Sequence, residues 1–102
     1  MSVIRISLGR FSPESCEKIK RMLDESQNTL IPAIRTLSGN IAYFVGIDEE
    51  NNTMTNVSIW ETIEDAKQMA SLKAMADLGK LFVESGVQFE RPITNHQALW
   101  QL

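Results

Sequence analysis

One stretch of sequence decides the fold of this chain: Ile41-Ala-Tyr-Phe-Val-Gly-Ile47, then the loop Asp48-Glu-Glu-Asn-Asn52, then Thr55-Asn-Val-Ser-Ile-Trp60. The first segment is rich in β-branched and aromatic residues and is almost wholly apolar, which is typical of a central strand. The last segment alternates apolar and polar residues, with Val57 and Ile59 on one face. Because turn-forming residues fill the loop, these segments predict an antiparallel hairpin.

On the amino-terminal side, a strand and a helix precede the hairpin. The alternation of residues from Val3 to Leu8 predicts the strand, with Ile4, Ile6 and Leu8 on one face, taken as the core face. A helix is expected from Pro13 to about Asn28, because a serine precedes it as a cap and proline suits the first helical position.

The continuation of this helix is expected to be disturbed by Pro32, which lacks a backbone N–H. The segment Leu30 to Leu37 is therefore predicted to form a separate short turn or helix, which Gly39 ends.

On the carboxyl-terminal side, a helical stretch follows the hairpin. The segment Thr62 to Asp65 has the spacing of a capping box and opens this stretch, which runs to about Glu84 and can break near Ser71. Val87 to Arg91 predicts a fourth strand, and Ala98 to Leu102 can form a short fifth one.

The order of elements is β-α-β-β-α-β, with an extra terminal strand. This order predicts the α+β class and a ferredoxin-like sandwich, in which a four-stranded antiparallel sheet carries both helices on one face. With 102 residues and 11.5 kDa, the chain is long enough for one hydrophobic core and too short for two. We therefore expect a single domain over residues 1–102.

Composition and charge limit the class of protein. Thirteen acidic and ten basic side chains leave a net charge of −3, which argues against nucleic acid as a partner. No apolar run approaches the roughly 18 residues that a membrane span needs, so no membrane partner is expected. The single cysteine, Cys16, cannot close an internal disulfide and has the spacing of a core residue, so we expect a cytoplasmic protein.

The sheet face without helices predicts the quaternary structure. We expect that face to carry Val3, Arg5, Ser7, Asn56, Ser58 and Trp60. This mixture is too apolar for a solvated surface, and a large apolar patch usually marks an interface. A symmetric homodimer packed through the two uncovered faces is the simplest solution, with a semi-enclosed cavity between polar and aromatic side chains. The segment Ala98 to Leu102, which contains Trp100, is placed to reach the partner.

Three local patterns carry a resemblance to a known family. They are Ile31-Pro-Ala-Ile-Arg35 with the following Gly39, the strand Tyr43-Phe-Val45, and above all Val57-Ser-Ile-Trp-Glu-Thr-Ile-Glu-Asp-Ala66. A strand that ends in Trp-Glu, followed at once by a helix cap and an acidic first turn, recurs in the antibiotic-biosynthesis-monooxygenase-like superfamily of dimeric α/β barrels. The chain resembles this superfamily from Val3 to Phe89.

The resemblance implies a pocket between the sheet and the helices of each subunit. Some relatives oxygenate small polycyclic phenols without metal or flavin, and others degrade haem. Trp60 matches the family tryptophan that borders the pocket. Further candidates for the polar lining are Tyr43, Arg5, Ser7, Asn56 and Ser58.

Haem-degrading relatives differ from this chain at two places. They carry a histidine on the second helix, whereas Ile63 to Glu84 contains none, and an asparagine on the first strand, where this chain has Arg5 and Ser7. We therefore expect no haem and no other cofactor. A metal site is not expected either, since one histidine and one cysteine cannot form a zinc site of the usual kind.

Three of the pocket candidates have a structural alternative. Trp60 can pack under the helix cap, and Tyr43 can be a packed aromatic whose hydroxyl finds one partner. Arg5 can hold an anionic ligand, or it can form an interface ion pair with Glu90 or Glu61.

Two hypotheses of function follow. The first is a cofactor-independent monooxygenase that oxidises a small aromatic or quinol-type molecule, whose anion can pass an electron to dioxygen in a water-poor site. His96, the single histidine, is then the candidate general base, although a terminal histidine is more often a surface residue. The second is a non-catalytic dimeric barrel that binds a small metabolite or acts as a regulatory or stress-related module, which the scarcity of acid–base residues favours.

Overall fold

The computed structural model describes residues 2–102. The helices are α1 (Cys16–Ile34), α2 (Ile63–Lys67) and α3 (Lys73–Glu84). The strands are β1 (Val3–Arg10), β2 (Asn40–Asp48), β3 (Thr53–Trp60), β4 (Gln88–Phe89) and β5 (Thr94–Gln97). Single 3₁₀ turns precede α1 at Pro13–Ser15 and join α2 to α3 at Gln68–Ser71.

The strands form one antiparallel sheet in the order β2-β3-β1-β4, and β5 also pairs with β1. Strand β4 pairs with β1 at Gly9 and Arg10, while β5 pairs with β1 from Val3 to Ile6. The two short strands therefore share one edge of β1. This arrangement confirms the predicted ferredoxin-like α+β fold and the β2-β3 hairpin.

Strand β2 lies at the edge of the sheet, so the interpretation of this segment as a central strand is wrong. Its apolar side chains remain exposed: Ile41 by 49%, Phe44 by 60% and Val45 by 41%. Apolar composition alone does not distinguish a strand buried in the core from one that faces an uncovered surface.

Helix α1 continues through Pro32 to Ile34, so the expected interruption and separate short helix are absent from this segment. Proline removes only one hydrogen bond here, because it lies in the last turn of the helix. Leu30 and Ile34, on either side of the proline, are buried against Trp60 and hold this turn in place. None of the helices within residues 2–102 is long and apolar enough to span a bilayer.

The Thr62 helix cap and the helix break are confirmed. The Thr62 Oγ1 accepts a hydrogen bond from the Asp65 backbone N–H at 3.1 Å, at the start of α2. The break falls at Leu72, whose extended backbone separates the Gln68–Ser71 turn from α3.

The carboxyl-terminal strands differ from their predicted positions. The fourth strand is limited to Gln88–Phe89 rather than Val87 to Arg91, and the fifth lies at Thr94–Gln97 rather than Ala98 to Leu102. Pro92 cannot donate a hydrogen bond to β1, so the pairing stops and resumes beyond it. The fifth strand is wholly polar (Thr-Asn-His-Gln), and therefore lacks the alternation that would have identified it.

The structure reverses the predicted faces of the sheet. The side chains on the helix-covered face include Val3, Arg5, Ser7, Met54, Asn56, Ser58 and Trp60. These residues were expected, apart from Met54, on the uncovered face. Alternation shows which residues share a face, but burial of the Trp60 ring against α1 and α2 decides which face the helices cover. The opposite side, here called the helix-free face, carries Ile4, Ile6, Leu8, Ala42, Phe44, Val57 and Ile59.

Candidate functional site

A polar stripe crosses the helix-covered face of the sheet. Arg5 on β1 lies opposite Ser58 on β3, which lies opposite Tyr43 on β2. In the next row, Ser7 lies opposite Asn56. The register therefore brings together five of the predicted site residues.

Two separate hydrophobic clusters flank the polar stripe. One contains Val3, Leu30, Ile34, Trp60, Ala66 and Met69. The other contains Phe11, Ile19, Leu23, Met54, Phe82 and Val87. Because polar side chains occupy the sheet between these clusters, the core is divided at the level of the stripe, and space remains under the helices.

A cavity of about 510 Å³ lies between the sheet and α3, and we call it the α3 cavity. Arg5, Ser7 and Asn56 of the polar stripe line its floor. Most of its walls are apolar side chains: Met54, Met69, Met75, Leu78, Phe82, Val83, Phe89 and Ile93. Such a cavity, with a few convergent polar groups among apolar walls, has the character of a small-molecule site.

The Arg5 guanidinium is half-buried and has no hydrogen-bond or ion-pair partner within residues 2–102. Burial lowers its pKa, the Tyr43 hydroxyl opposes this shift, and the positive charge of Arg91 lowers the pKa further. Within this chain, Glu90 accepts a hydrogen bond from Arg10 at 2.6 Å. Arg5 is thus available to a ligand of the α3 cavity.

Tyr43 lines a different cavity. This α1 cavity, of about 470 Å³, lies between α1 and β2 and has Tyr43 among its walls with Leu30 and Ile34. Burial raises the pKa of Tyr43 to about 12, and the charge of Arg5 opposes the shift. The hydroxyl is therefore a neutral hydrogen-bond donor at neutral pH. Tyr43 lines the α1 cavity and not the α3 cavity.

Trp60 and Ser58 form a hydrogen bond with each other, and they line neither the α1 cavity nor the α3 cavity. Both are buried, and the Trp60 Nε1–H donates to the Ser58 Oγ at 2.8 Å. The indole packs beneath α2 against Ala66 in the first hydrophobic cluster. In this single chain the pair stabilises the end of the sheet.

His96 and Cys16 lie outside the α3 cavity. His96 is exposed on β5 opposite Ile4, so its side chain is on the helix-free face and the sheet separates it from the cavity. Cys16 is half-buried against the second hydrophobic cluster, as expected for a core residue. Within residues 2–102, no group of three His, Cys, Asp or Glu side chains is arranged to hold a metal ion.

Sequence reasoning missed Arg91 and Lys80, which also line the α3 cavity. Arg91 reaches it because the chain leaves the sheet between β4 and β5, and its guanidinium lies 5.0 Å from the centre of the Phe89 ring. A signal for the α3 wall does exist in the sequence: Ala76 and Gly79 are small residues three positions apart on one helix face, which leave room beside the sheet.

No protein-family model matches this sequence, and no curated protein matches it either. Solved structures do match. A protein from Deinococcus radiodurans, provisionally named as an antibiotic biosynthesis monooxygenase, has a TM-score of 0.75 and 17% identity, over 98% of this chain and 95% of that chain. A protein from Nitrosomonas europaea with the same provisional name has a TM-score of 0.73 and 11% identity, over 97% and 91%.

A third match is to a variant of SnoaB, a cofactor-independent oxygenase from Streptomyces nogalater. Its TM-score is 0.69 and its identity 8%, over 99% of this chain and 96% of that chain. The fold of antibiotic biosynthesis monooxygenases is therefore the fold of this chain, as the sequence resemblance indicated.

Proposed function

Because this chain has the fold of antibiotic biosynthesis monooxygenases, we propose that it is a cofactor-independent monooxygenase acting on a small aromatic or quinol-type molecule in the α3 cavity. The observation that carries the proposal is the placement of Arg5, Ser7 and Asn56 on adjacent strands, facing one cavity with otherwise mostly apolar walls. A flat ring fits against these walls, while the polar groups bind its oxygen atoms.

The reaction needs no external reductant. A phenolic ring system that contains an activated methylene loses a proton, and its anion transfers an electron to dioxygen. Recombination and loss of water convert the methylene to a carbonyl, so that one oxygen atom enters the product and the other leaves as water. The four electrons all come from the substrate, and the protein has only to bind, orient and stabilise the anion.

Arg5 has the central role in this proposal. Its unpaired guanidinium stabilises the negative charge of the deprotonated ring, and burial strengthens that interaction. Ser7 and Asn56 offer further hydrogen bonds from the neighbouring row of the sheet. The methionine and phenylalanine side chains of the walls offer apolar surface against which the ring can pack.

A second candidate function is binding without catalysis. No carboxylate or imidazole from the described residues lines the α3 cavity, so no side chain there is an obvious proton acceptor. This observation favours a barrel that binds a small metabolite, or one that acts as a regulatory or stress-related module.

The helix-free face supports a homodimer as part of the proposal. All three long strands contribute apolar side chains to this face, and the Phe44 ring is 60% exposed. A second copy of the chain offers the same apolar surface, so a two-fold pair buries both. Leu99 and Trp100, each 83% exposed beyond β5, provide further apolar surface for the partner.

Oxygen uptake tests the proposed activity. The protein is incubated in air with a panel of anthrones and quinols. For an anthrone we expect one molecule of dioxygen to be consumed for each anthraquinone formed, without release of hydrogen peroxide. The Arg5→Gln variant should lose about tenfold or more in rate, since it removes the charge opposite the substrate anion. Arg35→Gln is the matched control, because Arg35 lines the α1 cavity and should leave the rate unchanged.

One outcome would contradict the oxygenase, and another would contradict its site. Uptake no greater than in buffer across the panel, with retained binding of the same compounds, would establish the non-catalytic function instead. Uptake that Arg5→Gln leaves unchanged would remove the α3 cavity as its site.

A further inference from the structure

The side chains that line the α3 cavity carry an unusual charge balance. They include three cations, Arg5, Lys80 and Arg91, and no carboxylate among the described residues. The chain as a whole has the opposite balance, with thirteen acidic and ten basic side chains. The positive charge at this cavity is therefore not a consequence of overall composition.

The two arginines lie close enough to repel each other. The charge of Arg91 contributes to lowering the pKa of Arg5, although burial is the larger cause. Neither guanidinium has a carboxylate partner within residues 2–102, and the Arg91 side chain donates only to the carbonyl oxygen of Glu90, at 3.3 Å. Two like charges beside a partly buried cavity favour an anion between them.

The walls and the fold indicate what kind of anion fits. Apolar side chains form most of the cavity, so the body of the ligand is apolar, and about 510 Å³ accommodates two or three fused rings. Met75 and Ala76, in the first turn of α3, do line the cavity, but their backbone N–H groups both donate to the Leu72 carbonyl oxygen, so neither is free to bind a phosphate there. A planar guanidinium matches a carboxylate in geometry.

We infer that the α3 cavity selects an aromatic molecule that carries a carboxylate, which Arg5 and Arg91 bind together while the rings lie against the methionine and phenylalanine walls. This inference rests on the proposed function only in placing the ligand in the same cavity. The carboxylate is additional to any phenol that reacts, and it fixes the orientation of the ring system. Lys80, at the rim, adds long-range attraction for the anion.

Calorimetric titration with two probes tests the inference. 2-Naphthoate and the neutral 2-naphthamide have nearly the same shape, and neither contains an oxidisable methylene. At pH 7 we expect the wild-type protein to bind naphthoate about tenfold or more tightly than the amide, with a preference that weakens as salt is added. Arg91→Gln should abolish most of that preference, and because Arg91 is exposed this change should not impair folding.

Two further variants complete the design. Arg5→Gln should also abolish the preference, while Arg35→Gln should retain it, because Arg35 lines the α1 cavity. Equal binding of the two probes, or a preference that survives both Arg5→Gln and Arg91→Gln, would overturn the inference. So would loss of the preference in Arg35→Gln, which would place the anion in the other cavity.

This result is independent of the oxygen-uptake result. Arginine-dependent binding of naphthoate without oxygen uptake from any anthrone or quinol would support the carboxylate site and refute the oxygenase. Oxygen uptake with no preference between naphthoate and naphthamide would support the oxygenase and refute the carboxylate site.

Discussion

Tyr43 is the only tyrosine of the chain, so its ionisation can be followed without interference from another phenol. Burial raises its pKa to about 12, from an ordinary value of 10.0. We expect the absorbance of the tyrosinate in the folded protein to rise with a midpoint near 12, and in urea near 10. A folded-state midpoint near 10 would contradict this placement of the hydroxyl.

The same shift makes the protein less stable in alkali. Below pH 10 the phenol is neutral in both the folded and unfolded states, so it adds no pH dependence. Between pH 10 and 12 the unfolded chain loses its proton and the folded one retains it, which favours unfolding. The free energy of unfolding should fall by about 2–3 kcal/mol across this range. Tyr43→Phe should show a correspondingly smaller fall in urea titrations.

The hydrogen bond between Trp60 and Ser58 gives a second prediction at the scale of single residues. Ser58→Ala leaves the indole N–H buried without its acceptor, which should lower the free energy of unfolding by about 1–3 kcal/mol. Ser71→Ala, at an exposed position, is the control and should change it by less than about 0.5 kcal/mol. Equal effects of the two substitutions would show that this bond adds little.

The sequence identified some site residues better than others. Arg5, Ser7 and Asn56 stand out because they alternate with apolar residues along their strands. Arg91 could not be found in this way, since it reaches the α3 cavity only through the pairing of β4 and β5 with a strand about 80 residues earlier.

At the scale of elements, three glycines distinguish two reasons why a position can require glycine. One is a positive φ angle, and the other is a lack of space for a Cβ atom. Gly39 has a positive φ of 74°, and a Cβ there would collide with the Asp65 carboxylate. Gly86 has a positive φ of 97° with open space around it, and Gly79, inside α3, has neither constraint. Substitution by alanine therefore compares three positions: Gly39, which has both constraints, Gly86, which has only the positive φ, and Gly79, which has neither.

We expect a graded result from these substitutions. Gly39→Ala should lower the free energy of unfolding most, by more than about 2 kcal/mol, and Gly86→Ala should lower it by about 1 kcal/mol. Gly79→Ala should raise it by up to about 1 kcal/mol, because alanine favours the helix. Urea unfolding measures all three, and an unchanged stability in Gly39→Ala would show that the contact between this turn and α2 is loose.

The helices and strands themselves were largely predictable from the sequence, but the residues at which they begin and end were not. Local patterns identified the hairpin, the Thr62 cap and the break before α3. The path of α1 through Pro32 depends on burial of Leu30 and Ile34 beneath the sheet, which no local pattern reports. The covered face of the sheet was predicted wrongly for the same reason, since only tertiary packing decides it.

For the whole molecule, that reversal strengthens the argument for a dimer. The uncovered face was expected to mix polar and apolar residues, but it carries apolar side chains on each of its three long strands. Three residues of the polar stripe, Arg5, Ser7 and Asn56, instead line the α3 cavity, where they can bind a ligand. The proposed assembly and the proposed ligand binding thus use opposite faces of one sheet, so a substitution should affect one without the other.

A charge placed at the centre of the helix-free face tests this separation. Val57→Lys brings two like charges into the proposed interface, so light scattering at micromolar concentration should give half the mass of the wild-type dimer. Leu81→Lys is the control, because Leu81 is 53% exposed on α3 and lines neither cavity. Its dimer should persist. A monomeric wild type, or a dimer that tolerates Val57→Lys, would refute association through this face. A Val57→Lys monomer that still binds naphthoate would show that each subunit holds its own complete site.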